Sequence, residues 1–209
     1  MPFAQPTLTA DSGYRDGSTI LGGSLTPVIA PGFQTEMGAS IWAGPPAGTI
    51  STFVSAGFNA GSPPRGASML TVNVAGVAMT SRALVQAFGG IWAHAHAELS
   101  ISIEEWQPPL FGKGGRGIPA KLISRVTFNP TKIFDDWGSV ISFQARIDDG
   151  TPFVSVAGMP IQPEAPIRLH SFVCWINLYQ LAECNAVTGF AQAVSNVQYF
   201  FDPPFFSFL

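Results

Sequence analysis

His94-Ala95-His96-Ala97-Glu98 sets two of the three histidines and a carboxylate at every second position. On a β-strand such residues point the same way, so two imidazoles and a carboxylate would meet on one side. That donor set suits zinc or iron. A metal held in this way activates a bound water or dioxygen. His170, in "IRLHSF", is the remaining histidine and would complete the set if its strand lies alongside. A simpler account competes. Trp92, His94, His96, Glu98, Ser100, Ser102 and Glu104 alternate with Ile91, Ala93, Ala95, Ala97, Leu99, Ile101 and Ile103. This is the pattern of a sheet strand with one wet face and one core face. Because the polar stripe runs well past any three-ligand site, the sequence favours a solvated or partner-facing stripe with no cofactor. A zinc or iron enzyme centred on His94, His96, Glu98 and His170 is the rival.

Two histidines in this spacing resemble the paired histidines that cupins and carbonic anhydrases carry on a strand, which would imply a metal. The cupin pattern continues with a later glutamate and a downstream histidine motif. This chain departs from both, so no family is assigned. Other chemistries find little support. The carboxylate pairs Glu104-Glu105, Asp135-Asp136 and Asp148-Asp149 are adjacent in sequence. On a strand such neighbours point apart, so none forms an acid/base pair by itself. No Gly-x-Ser-x-Gly occurs, and "GKGGRG" at Gly112–Gly117 lacks the strand and helix that a phosphate loop needs. Trp92 and Trp106 bracket the polar stripe, and Asp135 precedes Trp137 by two residues. An indole beside polar groups can stack a sugar ring, so Trp92, Trp106, Asp135 and Trp137 are candidates for a carbohydrate-like ligand.

The elements that would position these residues read as strands. The 209 residues include 22 glycines and 18 prolines, so turns are frequent. About nine or ten short stretches with period-two patterning lie between turn signals. This predicts an all-β domain, an antiparallel sandwich of the jelly-roll kind spanning residues 1–209. Residues 1–37 read as irregular and residues 203–209 as an apolar tail. One two-turn helix competes with a strand over "TSRALVQAFGG", with Ser81 as cap, Leu84, Val85 and Phe88 on one face and Gly89 as stop. "GTISTFVSAGFNA" and "ASMLTVNVAGVAM" read as a hairpin joined by "GSPPRG". Its uncharged alternation also suits a hairpin inserted into a bilayer, the third functional reading. Asp148-Asp149-Gly150 reads as a turn before "TPFVSVAG".

Charge bounds the partners. Charged residues make up 11% of the chain and the net charge is −3, so no basic face for nucleic acid is expected. Every apolar run is interrupted too soon for a transmembrane helix. The N-terminus lacks a basic start followed by an apolar run, so no secretory signal is read and the cytoplasm is the default compartment. Most charge falls between Glu98 and Arg168, with six charged residues before that stretch and Glu183 and Asp202 after it. Weakly charged ends suit burial against other copies. "FFDPPFFSFL" adds Phe205, Phe206, Phe208 and Leu209 beyond two prolines, a tail that either folds back on its own core or docks on a neighbour. In the docking case, deleting residues 203–209 would lower oligomeric state or solubility. A self-associating, non-catalytic interaction module is therefore the favoured reading. Cys174 and Cys184 would span roughly 33 Å within one strand, so free thiols are favoured over a disulfide.

Overall fold

The computed structural model describes residues 7–9, 23–30, 35–45, 47–107, 110–111, 117–148, 154–161, 170–186 and 188–209. All regular elements among them are strands: β1 (Thr7–Thr9), β2 (Gly23–Ala30), β3 (Thr35–Ala43), β4 (Ala47–Gly61), β5 (Met69–Gln107), β6 (Leu110–Phe111), β7 (Gly117–Ile118), β8 (Lys121–Asp148), β9 (Val154–Pro160), β10 (Ser171–Asn185), β11 (Phe190–Phe201) and β12 (Phe205–Phe208). The all-β expectation holds. The architecture is one curled antiparallel sheet forming a half-barrel, not the clear two-layer sandwich that the strand spacing suggested.

β5 is the spine, 39 residues long. Along one edge β10, β11 and β12 follow one another, pairing with its end, middle and start. Along the other edge lie β8 and then β9. β4 and β3 pair outside β10 and β11, and β1 and β2 outside those. A straight β5 would be roughly 120 Å long, yet its ends must be close. Gly61 pairs with Phe172, which neighbours Glu105 near the end of β5. Only eight residues later the chain reaches Met69, where β5 begins, a reach of at most about 29 Å. β5 therefore bends back on itself. The rings confirm it: Phe172 and Phe208, paired with opposite ends of β5, stand 6.2 Å apart edge to face.

The bend is a crease crossing several strands at one level. β5 carries bulges on both sides of Gly90, and Gly89 has φ +65°. Opposite Gly90 sits Val140 at φ +59°. β10 gives way to β11 through Gly189 at φ +101°. Bulges bend a strand and sharpen its twist, and glycine takes the positive φ without a Cβ clash. Inside the curl, Ala93, Ala95, Ala97, Leu99, Ile101 and Ile103 alternate as a fully buried row. The three alanines leave room where the walls approach, and the larger residues fill the space beyond.

Several sequence expectations change. Ser81–Gly89 is strand, not helix, laddered to β11 on one side and β8 on the other. Ala83, Val85 and Ala87 are buried at every second position, and two ladders outweigh a two-turn helix that is marginal alone. Gly89 marks the crease rather than a helix stop. "GTISTFVSAGFNA" and "ASMLTVNVAGVAM" are not a hairpin: β4 lies between β1 and β10, while β5 pairs elsewhere. β9 continues along the same edge of β5 as β8, so the chain does not reverse after Asp148; residues 149–150 lie outside the described set. Within residues 1–37, the described part forms β1, β2 and the start of β3. Cys174 and Cys184 are free and buried on β10, and burial pushes both thiols up, the Cys184 shift partly offset by a backbone hydrogen bond with Gly48. No helix among the described residues is long and apolar enough to cross a membrane.

One core feature is polar. Thr52 and Gln180 pair across β4 and β10, both essentially inaccessible. Gln180 Nε2 donates to Ser195 Oγ at 2.9 Å, but Thr52 Oγ1 and Gln180 Oε1 have no partner among the described residues. Thr52→Val keeps the shape and removes a buried hydroxyl. It should raise stability by about 1 kcal/mol, seen as a higher urea midpoint at unchanged slope. A fall of similar size would show that the hydroxyl is bonded.

Candidate functional site

β5 presents the polar stripe to β10 on one side and β8 on the other. The ladder sets His94 opposite Glu183 and Trp137, and His96 opposite Leu181 and Asp135. Opposed residues on one sheet face lie within side-chain reach, so three strands contribute to one cluster. His94 Nδ1 lies 2.9 Å from Glu183 Oε1, and His94 Nε2 lies 2.8 Å from Asp135 Oδ1. His96 Nδ1 is 3.4 Å from the same Asp135 oxygen. Lys132 Nζ donates to Asp135 Oδ2 at 3.0 Å. Trp137 stacks on the His94 ring, with centroids 3.7 Å apart and planes 9° apart. His94 is nearly buried, while Asp135 remains about a third exposed.

The hydrogen bond to His94, followed by that from Lys132, holds the Asp135 carboxyl well below the usual carboxylate range. Its folded value is depressed, so its contribution to stability is present above the ordinary carboxylate pKa. That contribution is lost only as pH falls through the depressed value. Burial, then Glu183 and Glu98, pushes the Tyr179 phenol up, and its ring stands 5.9 Å from that of His96.

One donor atom each from His94, His96 and Asp135 lies within 4.8 Å of the other two. Of the residues expected to bind metal, His94 and His96 thus come together, joined by Asp135. Glu98 Oε2 lies 3.9 Å from His96 Nε2, the nitrogen turned away from Asp135. His170 stands elsewhere, its Nδ1 2.7 Å from Glu105 Oε1. Glu105 is roughly 30 Å along the strand from His96 and alternates onto the other side of β5. Of the expected sugar-binding set, Trp92 and Trp137 meet with centroids 6.1 Å apart beside Asp135. Trp106 lies at the far end of the stripe, its Nε1 donating to Glu104 Oε2 at 2.7 Å. Glu104 is buried there with Arg125 Nη2 at 2.6 Å. Glu183 and Lys132 were not singled out in the sequence. Strand register brings Glu183 to the cluster, whereas Lys132 lies three residues before Asp135 on β8.

No protein-family model matches the chain, and no curated protein matches it. Among solved structures, it shows weak similarity to the enzymatically active domain of bacteriophage CBA120 tailspike protein 4. The two are 9% identical at a TM-score of 0.23, over 90% of this chain and 19% of that one. The infectious bursal disease virus Gt strain structure is 13% identical at a TM-score of 0.09, over 89% of this chain and 43% of that one. The chain thus spans less than half the length of either, and neither likeness bears on its site.

Proposed function

We propose that the chain is a non-catalytic assembly module that associates with further copies of itself along β8. The observation supporting this is the state of that strand. β8 is 28 residues long and pairs, among the described residues, with β5 alone. Its last turnless stretch leaves Ile141 79%, Ile147 66%, Val140 62% and Phe143 60% exposed. Cross-strand neighbours extend the apolar row, with Phe88 opposite both Ile141 and Phe190, all three exposed.

An open sheet edge offers unpaired N–H and C=O groups, and natural edges are guarded with lysine, proline or inward charge. The first half of β8 has such guards in Lys121, Arg125, Pro130 and Lys132. From Trp137 to Ile147 the only charge is Arg146. That segment is also self-complementary. Antiparallel pairing of two copies about Gln144 sets Ile141 against Ile147 and Phe143 against Ala145, on one face. A chain with so few charges elsewhere has little to oppose such contact.

Analytical ultracentrifugation tests this reading. The wild type should sediment as a dimer or larger assembly. The double variant Ile141→Lys, Phe143→Lys should sediment as a monomer with a melting temperature near that of wild type, because both side chains already face water in the single chain. A monomeric wild type, or an unchanged assembly in the variant, would sink the proposal.

A further inference from the structure

The geometry points to a binding site for one divalent transition-metal ion, of the zinc class, held by His94, His96 and Asp135 and tying β8 to β5. Assembly along β8 does not depend on it. Four ligands at zinc distances of about 2.0–2.1 Å stand roughly 3.3 Å apart in a tetrahedron. Asp135 Oδ1 is 2.8 Å from His94 Nε2 and 3.4 Å from His96 Nδ1. The two histidine nitrogens lie within 4.8 Å of each other, so seating an ion opens the His94–Asp135 pair by about 0.5 Å and draws the two imidazoles together by up to about 1.5 Å.

The more telling feature is what lies behind the donors. Metal-binding imidazoles donate their other ring nitrogen to a carboxylate or carbonyl, which fixes tautomer and ring orientation. Here Glu183 holds His94 Nδ1, leaving Nε2 toward the cluster. Trp137 fixes the plane of that ring by stacking. Lys132 holds Asp135 Oδ2, leaving Oδ1 as the inward oxygen. Glu98 stands on the far nitrogen of His96 at ion-pair distance. His94 and Asp135 are therefore each oriented by a separate hydrogen-bonded outer group. A polar stripe that only faced water would not require this.

Charge agrees. Asp135, Glu183 and Glu98 gather around two imidazoles with Lys132 as the nearby cation. Both ring nitrogens of His94 lie within hydrogen-bond distance of carboxylate oxygens. Two imidazoles and one carboxylate suit zinc, cobalt or iron(II) better than calcium or magnesium, which prefer oxygen alone. Three protein ligands would leave a fourth position for water.

Zinc chloride titrated calorimetrically into the chelator-stripped full chain should show one ion per chain. His96→Ala and Asp135→Asn should each weaken binding by about 100-fold or more. Glu183→Gln, which touches no metal, should weaken it by about 10-fold. Circular dichroism checks that the variants fold. X-ray absorption on the zinc-loaded wild type needs no variant and should show outer-shell scattering from two imidazoles. Absence of saturable binding, a spectrum with fewer than two imidazoles, or unchanged affinity in the folded His96→Ala protein would each overturn the site.

Discussion

Gly189→Ala should destabilise the fold by about 4 kcal/mol, whereas Gly66→Ala should cost no more than about 1–2 kcal/mol. Both glycines have positive φ, +101° at Gly189 and +88° at Gly66. Any side chain there strains the backbone. They differ in surroundings. A Cβ on Gly66 meets nothing within 4 Å. A Cβ on Gly189 would run into the Phe88 carbonyl oxygen and stand 2.7 Å from the Gly89 carbonyl carbon. These are backbone atoms of the crease in β5, which cannot swing aside as a flexible side chain would. Relief would require opening β11 from β5 where the sheet bends, and the curl of the whole core depends on that bend. Against a total stability of about 5–15 kcal/mol, the loss is large. Urea unfolding of the two variants beside wild type measures it. Equal losses in both would mean that Gly189 matters only for its φ and that the crease can relax.

The same crease marks the limit of what was legible in the sequence. Alternation along Ile91–Glu104 fixes the strand and its core face from Ala93 to Ile103, but Ile91 is exposed beside the crease and the face expected to be wet buries His94, Ser102 and Glu104 against neighbouring strands. Alternation says nothing of how far a strand extends. β5 runs through Ser81–Gly89, where Leu84, Val85 and Phe88 also suit a helix. Gly89 and Gly90 read as a terminator, yet they bend a strand that continues. The site was half legible for a related reason. His94 and His96 share a face by local geometry. Asp135 and Glu183 join them only through the pairing of His96 with Asp135 and His94 with Glu183. The β5–β10 ladder runs without a shift, but the β5–β8 register includes bulges, one of them between Ala97 and Glu98, which no periodicity announces. His170 joins the expected set on residue type alone, and the register carries it to the other end of β5, where Trp106 already closes the stripe.

Deleting residues 203–209 should lower stability by about 3–6 kcal/mol, a fall in melting temperature of roughly 10–20 °C for a chain of this size. The tail folds back on its own sheet as β12, which pairs with the start of β5. Leu209 ends the ladder: its N–H donates to Met69 O at 2.9 Å, and its carbonyl accepts from Ser68 N at 2.6 Å and Met69 N at 3.0 Å. Phe206 and Phe208 pack on the core, and Phe208 meets Phe172. Removing the tail would bare one side of Leu70, Val72 and Phe172, now fully buried. It would also remove the ring contact between the two ends of β5. Phe205 and Leu209 stay exposed, so a tail that served chiefly to dock on a neighbour would give a different result: lower assembly mass with unchanged melting of the monomer. Thermal unfolding of the truncated chain, carried out on the monomeric Ile141→Lys, Phe143→Lys background, separates the two. A large drop there is the tail closing its own half-barrel, because no neighbour remains to receive it.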